Sequence, residues 1–357
     1  MTIPDEGELV EMAEATRDGT SAALRTGPVE PVVALTTAQT AAIVGADSVP
    51  LRAIAETELR VFPIAISGKP FGWRADDVTT DAILDGFVAR GGTLIDTADS
   101  YSSGRSETMI GNWMRSRRLR DDLVVATKVG RGAENPGVDA RSITAAVEAS
   151  LGRLRTDRLD LLLLHVDDPE VAFDETLLAV DELIRAGKVR AFGAADHTGN
   201  RLFEARIACA QLGVAPMAVL QTAYSLMDRR DYEGQLENIV ERMGMSLMPR
   251  FALASGFLTG RYRGKAALAA SPRGADIARY VTRAGARVLA ALDAIAAEHD
   301  AAMATIALAW MLSRPNVVAP VVSASSPEQV FDLMQAPSVS LTRHELALLD
   351  RANEPRR

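Results

Sequence analysis

Short apolar runs alternate with longer stretches of helical period along most of the chain. Thr93-Leu94-Ile95, Leu123-Val124-Val125-Ala126 and Leu161 to Leu164 each read as a buried strand. Between them, Glu107 to Arg117 and Ser142 to Arg155 carry apolar residues three and four apart, the period of an amphipathic helix. Carried along the chain, the alternation predicts strands near residues 61–66, 93–96, 123–127, 160–164, 190–194, 217–221, 246–249 and 318–322. Strands that alternate with helices pair in parallel, and eight such units predict a single α/β domain of the (β/α)8 TIM-barrel class. The gap from Pro249 to Val318 is too long for one loop and one helix. It is expected to hold a Gly-rich segment (Ser255 to Gly274), a helix from about Tyr280 to Glu298 and the last barrel helix, Ala301 to Leu312. Thr342 to Ala352 reads as a closing helix, with Thr342 and Glu345 spaced as a capping box.

Polar residues follow three of the apolar runs: Asp96 and Tyr101 after the first, Lys128 after the second and His165 after the third. Right-handed crossovers bring the carboxyl ends of parallel strands to one rim, where barrel enzymes carry their chemistry. A lysine at the end of an apolar strand must be paired or line a cavity. A phenol titrates near pH ~10 and is a poor acid at neutrality. A neighbouring ammonium favours the phenolate, and a buried carboxylate holds that ammonium in place. The imidazole can orient a carbonyl oxygen or share its proton. Such a tetrad supplies acid–base chemistry and an oxyanion site but no electrons, so a redox reaction requires a bound hydride donor.

Composition narrows the partners. The chain has 357 residues, of which 48% are hydrophobic and 24% charged, as in soluble globular proteins. A net charge of −8 without a basic run argues against nucleic acid as a partner. The cluster Arg115, Arg117, Arg118 and Arg120 reads as the solvated end of a helix. Cys209 is the single cysteine, which excludes an intrachain disulfide and fits a small buried apolar residue. No stretch reaches the ~20 apolar residues of a membrane span, and the N-terminus lacks a signal-peptide pattern, so a cytoplasmic location is expected.

The segment Gly91-Gly92-Thr93-Leu94-Ile95-Asp96-Thr97-Ala98-Asp99-Ser100-Tyr101 resembles the signature of the aldo/keto reductases. So do Gly104-Arg105-Ser106-Glu107, the run from Arg120 to Gly130, Asp160 to Pro169, Ala186 to Arg190, and Leu253 to Gly260. The likeness covers roughly residues 58 to 353 and divides the chain into an N-terminal extension, 1–57, and a barrel, 58–357. It implies a (β/α)8 barrel, NADPH as cofactor and a small-molecule carbonyl substrate. Tyr101 would be the proton donor, Lys128 and Asp96 its tuners, and His165 the residue that orients the substrate. A homo-oligomer is compatible with the family.

The resemblance also implies a cofactor site, with departures from the usual pattern. Gln221 matches a glutamine that holds the nicotinamide carboxamide, but the Ser-Asn pair expected after strand five is Ala195-Asp196. Asp196 can accept from the carboxamide NH2 and cannot donate to its oxygen. Arg250 stands where the family stacks an aromatic on the nicotinamide ring, a role that a guanidinium face can imitate. Leu253, Ser255 and Gly256 keep the phosphate-handling loop, with Ala252 in place of a serine. On the first strand, Ala65 and Ser67 replace glycines. Ser323, Ser325 and Gln329 belong to a loop that leads into a helix whose N-terminus can receive a phosphate; no lysine or arginine stands in that loop. His197 can line the pocket or lie at the surface, while Asp167 and Asp168 are read as caps of the next turn, and a metal is not expected.

Three functions fit these residues. The first is an NAD(P)H-dependent reductase of aldehydes or ketones. The second is a relative with a weakened cofactor site that uses the tetrad for dehydration, cyclisation or isomerisation. The third is a binding protein that keeps the cofactor as a sensor. In the extension, Glu6 to Arg17 and Thr37 to Val44 have helical composition around a Gly27-Pro28 breaker; it packs outside the barrel, or it forms an oligomer contact or a lid.

Overall fold

The structure, a computed structural model, describes residues 49–354 apart from 270 and 272. The helices expected at Glu6–Arg17 and Thr37–Val44 lie outside the described residues. Eight parallel strands form the barrel: β3 (Ala65–Ser67), β4 (Leu94–Ala98), β5 (Val124–Val129), β6 (Leu159–Leu164), β7 (Val189–Ala195), β8 (Val219–Ala223), β9 (Ser246–Arg250) and β10 (Val321–Val322). They pair in the order β10-β3-β4-β5-β6-β7-β8-β9. The remaining gap is bridged just before β10, where Leu247 N–H donates to Asn316 O (2.7 Å) and Val318 N–H to Leu247 O (2.9 Å). Pro320 has no N–H to give, which shortens β10 relative to the expected 318–322.

The strand expected at 61–66 divides in two. Pro63 removes a ladder donor, and the chain breaks there into a hairpin and a barrel strand. The hairpin pairs β1 (Arg52–Ala53) antiparallel with β2 (Arg60–Val61). Its Ile54, Leu59 and Val61 are buried in one cluster with Leu94, Val124, Leu161, Val219 and Met248, and so close the amino end of the barrel. Arg52 fixes the hairpin through its guanidinium to Val317 O (2.7 Å) and Leu312 O (3.0 Å), and Ala55 N–H donates to Ser246 Oγ (2.7 Å).

Helices cover the outside. The helix Phe173–Arg185 shows the pattern: Phe173, Leu177, Val180 and Leu183 are buried at spacings of four and three, with acidic residues in its first turn. The helices expected at 280–298 and 301–312 appear as Arg283–Glu298 and Met303–Leu312. The second is buried on all sides, packed on the first, on the helix Pro327–Gln335 and on the 254–259 turn, which accounts for its wholly apolar sequence. Among the described residues no helix is long and apolar enough to cross a membrane. The closing helix Arg343–Ala352 has the expected capping box, with Thr342 and Glu345 bonded in both directions. Cys209 is buried as expected. Arg120 departs from a solvated helix end: it bonds the Thr156 hydroxyl (2.7 Å) and pairs with the buried Asp160 (2.8 Å).

Candidate active site

Side chains of a strand alternate between its two faces. Leu94 of β4, Val124 and Ala126 of β5, and Leu161 and Leu163 of β6 fill the barrel interior. Two residues beyond Leu94, Ala126 and Leu163, the same inward face carries Asp96, Lys128 and His165. The same step leads from Val219 to Gln221 on β8 and from Met248 to Arg250 on β9. The lower layers of the barrel are therefore apolar, and the top layer is polar. On β7 the position below Ala195 must be glycine, because a Cβ on Gly193 would lie 2.3 Å from Val219 O.

Lys128 and Asp96 meet at the centre of that layer. The ammonium donates to Asp96 Oδ1 (2.7 Å) and Oδ2 (2.8 Å), with both side chains 1% exposed. Burial alone would push the Lys128 pKa down, but Asp96 and then Tyr101 outweigh it, and the net shift is upward. Lys128 is therefore an ammonium throughout the ordinary pH range. Gln221 Nε2 also donates to Asp96 Oδ1 (2.8 Å). A carboxylate only accepts, so the amide nitrogen must face it and the amide oxygen remains to accept a bond from elsewhere.

Tyr101 sits in the loop after β4. Its ring centre lies 5.0 Å from Lys128 Nζ and 6.2 Å from the His165 ring, edge to face at 82°. The phenol pKa is raised: burial dominates, and the lowering pull of Lys128 is offset in part by Asp96. The sequence suggested that the ammonium would favour phenolate. Burial outweighs the ammonium's field, which Asp96 offsets in part, and Tyr101 keeps its proton at neutral pH. His165 is pushed down to about 3, by burial first and then by the positive charges of Lys128, Arg131, Arg250 and Lys69. Its imidazole is neutral at physiological pH, so it can orient a carbonyl oxygen but is a poor proton carrier. Its Nδ1 is buried with no partner among the described residues. The tautomer with the proton on Nε2 leaves a donor on the ring's other nitrogen.

The residues expected to hold a cofactor line the same cleft as Tyr101 and His165. Ala195, Asp196, Gln221, Arg250, Leu253, Ser255, Gly256, Ser323, Ser325 and Gln329 all border a cavity of about 1560 Å³. That exceeds the ~300–1,000 Å³ of ordinary small-molecule pockets and leaves room for a dinucleotide beside a substrate. At the nicotinamide end, Asp196 and Arg250 bond to each other. Arg250 Nε reaches Oδ1 (3.0 Å) and Nη2 reaches Oδ2 (2.6 Å), a two-pronged fork. The sequence had suggested separate roles for the two; the structure pairs them. The opposite charges satisfy one another, and the Arg250 guanidinium stacks 4.5 Å from the Phe251 ring centre.

Asp196 is in the left-handed region (φ 57°), as are Phe251 (54°), Ala254 (49°) and Ser255 (57°) in the loop after β9. Such strain in residues with side chains collects where a loop is held for a ligand. After β10, Ser325 N–H donates to Gln329 Oε1 (3.0 Å) as the chain enters the helix Pro327–Gln335. With serines on two loops, a helix N-terminus and the Gln221 amide oxygen facing one cavity, these residues fit a nicotinamide dinucleotide.

His197 is buried and does not line the cleft; its Nδ1 lies 3.0 Å from Ala195 O. Asp168 caps the next turn through Glu170 N–H (3.0 Å), whereas Asp167 binds Arg201 (2.9 and 3.0 Å). Among the described residues no group of carboxylate, imidazole or thiol side chains could hold a metal. Lys69 and Arg131 are among the cleft residues that the sequence reading did not single out. Each stands two residues past a strand end, and that spacing was the available signal.

A sequence model of the Aldo/keto reductase family matches residues 65–354. Norsolorinic acid reductase B of Aspergillus parasiticus is 28% identical over 83% of this chain and 82% of its own. An aldo-keto reductase of Aspergillus calidoustus is 29% identical over 83% of this chain and 80% of its own. An aryl-alcohol dehydrogenase of Pestalotiopsis microspora is 28% identical, with 82% and 79% covered.

Proposed function

The chain belongs to the aldo/keto reductase family, and on that premise we propose that it is an NADPH-dependent carbonyl reductase that turns an aldehyde or ketone into an alcohol with Tyr101 as proton donor. One observation carries this reading: Tyr101, His165 and Lys128, the last paired with the buried Asp96, border the same cavity as the loops suited to a dinucleotide. The names of the relatives, aryl-alcohol dehydrogenase and norsolorinic acid reductase, support an aromatic carbonyl substrate. Trp73 and Phe251, both exposed and both lining the cleft, offer flat apolar faces for one.

A bound dihydronicotinamide supplies the hydride. The protein does the rest. His165, neutral, donates from Nε2 to the carbonyl oxygen and so orients it. Tyr101 gives its proton to that oxygen as negative charge develops, a transfer worth ~10²–10⁴-fold in rate for general acids. The Lys128 ammonium stabilises the phenolate left behind, and Asp96 holds the ammonium in place. Gln221, its amide nitrogen held by Asp96, would turn its amide oxygen towards the carboxamide. The Asp196–Arg250 fork forms the wall where the family pattern has an asparagine and an aromatic ring. Ser255, Gly256, Ser323 and Ser325 would receive the phosphates, and Arg261 and Arg273 in the same cleft would supply positive charge that the loop after β10 lacks.

The test is NADPH oxidation by the purified protein with benzaldehyde. Saturable NADPH binding and aldehyde-dependent oxidation are expected. Absence of NADPH binding, together with turnover of an added substrate by cofactor-stripped protein, would instead support non-redox acid–base chemistry on the same tetrad.

A further inference from the structure

The protein is acidic, with a net charge of −8, yet eight of the eleven charged residues that line its large cleft are cations. Lys128, Arg105 and Arg250 have carboxylate partners in Asp96, Asp77 and Asp196. Lys69, Arg74, Arg131, Arg261 and Arg273 line the cleft without an ion-pair partner among the described residues. These five do not all stand at the same end. Arg261 and Arg273 belong to the segment after β9, beside the loops suited to phosphates. Arg74 stacks on Trp73, 4.1 Å from its ring centre. Arg131 lies two residues past β5, and in the strand order β5 is four places from β9 and three from β10. It therefore stands across the barrel mouth from the phosphate loops, between the strands that deliver Tyr101 and His165. Lys69 lies two residues past β3 and reaches over the cleft to within 5.8 Å of the Phe251 ring centre.

We propose that Lys69 and Arg131 form an anion-binding subsite beside Tyr101 and His165, and that the carbonyl substrate bears a carboxylate which this pair holds. The proposal rests on the carbonyl-reductase reading of the same site and names its substrate class.

The turn that carries Arg131 is built to keep it there. Buried Asp99 accepts from Gly130 N–H (3.0 Å), and a Cβ on Gly132 would lie 2.8 Å from the same carboxylate oxygen. The backbone on both sides of Arg131 is thus packed on Asp99, and its exposed side chain borders the cleft. The field is consistent with an anion as the missing partner. Both Arg131 and Lys69 lower the His165 pKa, and Lys69 is itself lowered, by desolvation first and then by Arg250, Arg273 and Lys128, which Asp276 opposes. A cation whose charge its surroundings disfavour gains when a carboxylate enters. Aromatic faces at Trp73 and Phe251 would flank the body of such a substrate.

The experiment compares 4-carboxybenzaldehyde with its neutral methyl ester, in the full-length wild type and in Lys69→Met and Arg131→Met. The wild type should favour the acid in kcat/KM by about tenfold, as one charge-assisted hydrogen bond permits. Either substitution should cut the acid-to-ester ratio by about tenfold on the same grounds, and added salt should shrink it. A second readout needs no turnover: calorimetric titration with 4-(hydroxymethyl)benzoate and its methyl ester, with and without NADP+. The acid should bind more tightly than the ester, and either variant should erase the difference. Equal handling of acid and ester by the wild type would overturn the proposal. So would variants that lose NADP+ affinity and keep the acid-to-ester ratio, since the two cations would then serve the cofactor. If neither aldehyde is reduced but the acid still binds through Lys69 and Arg131, the subsite stands and the reductase reading falls.

Discussion

Asp96 sets the protonation states around it. It accepts two bonds from Lys128 and one from Gln221 while wholly buried. Asp96→Asn would leave the Lys128 ammonium buried without a counter-charge, and breaking such a pair costs ~3–5 kcal/mol. Urea denaturation should show that loss, and a variant as stable as the wild type would contradict the pairing. His165 carries a pH signature. Its folded pKa, about 3, lies below the ordinary value of 6.5. As pH falls below 6.5 the unfolded chain takes up the proton first, so stability is lost progressively until about pH 3 and is unaffected above 6.5. His165→Gln should therefore lose less stability than the wild type between pH 7.5 and 5, and equal losses would refute the assignment. The tetrad was legible in the sequence because each member follows an apolar run. The bonds it makes were not: Gln221 to Asp96 and Arg250 to Asp196 join residues far apart in the chain, and which side chains face inward depends on strand register. Counting by twos from Leu94, Val219 and Met248 places Asp96, Gln221 and Arg250 in one layer, and that count was the readable signal.

At the scale of elements, the alternation of apolar runs and amphipathic stretches gave the barrel strands and the outer helices, because periodicity follows burial directly. It failed where prolines interrupt. Pro63 separates a floor hairpin from β3, and Pro320 shortens β10. The hairpin's Ile54 is buried against the lower barrel layer. Ile54→Ala should cost ~2–5 kcal/mol, as large-to-small core changes do, with little change in kcat because the hairpin sits at the opposite end from the cleft. A fall in kcat with unchanged stability would mean that the hairpin reaches the site. Gly193→Ala tests the layer above it. With Val219 O 2.3 Å from the new Cβ, β7 and β8 must separate, so both stability and NADPH affinity should fall. Tolerance of that methyl group would show that the register of β7 and β8 is wrong.

The whole molecule places a cation-rich cleft in an acidic protein. Opposed fields of this kind concentrate anions at the cleft while the rest of the surface repels them, and salt screens both effects within a Debye length of ~10 Å at 0.1 M. NADPH affinity should consequently weaken as ionic strength rises, and a salt-independent dissociation constant would leave the cleft cations without a role in cofactor binding. The central claim concerns the proton. In a single-turnover experiment with saturating NADPH and benzaldehyde, Tyr101→Phe should slow NADPH oxidation by at least ~10²-fold, the lower end for a lost general acid, while cofactor binding and thermal stability stay near those of the wild type. Oxidation at close to the wild-type rate in that variant would contradict the account.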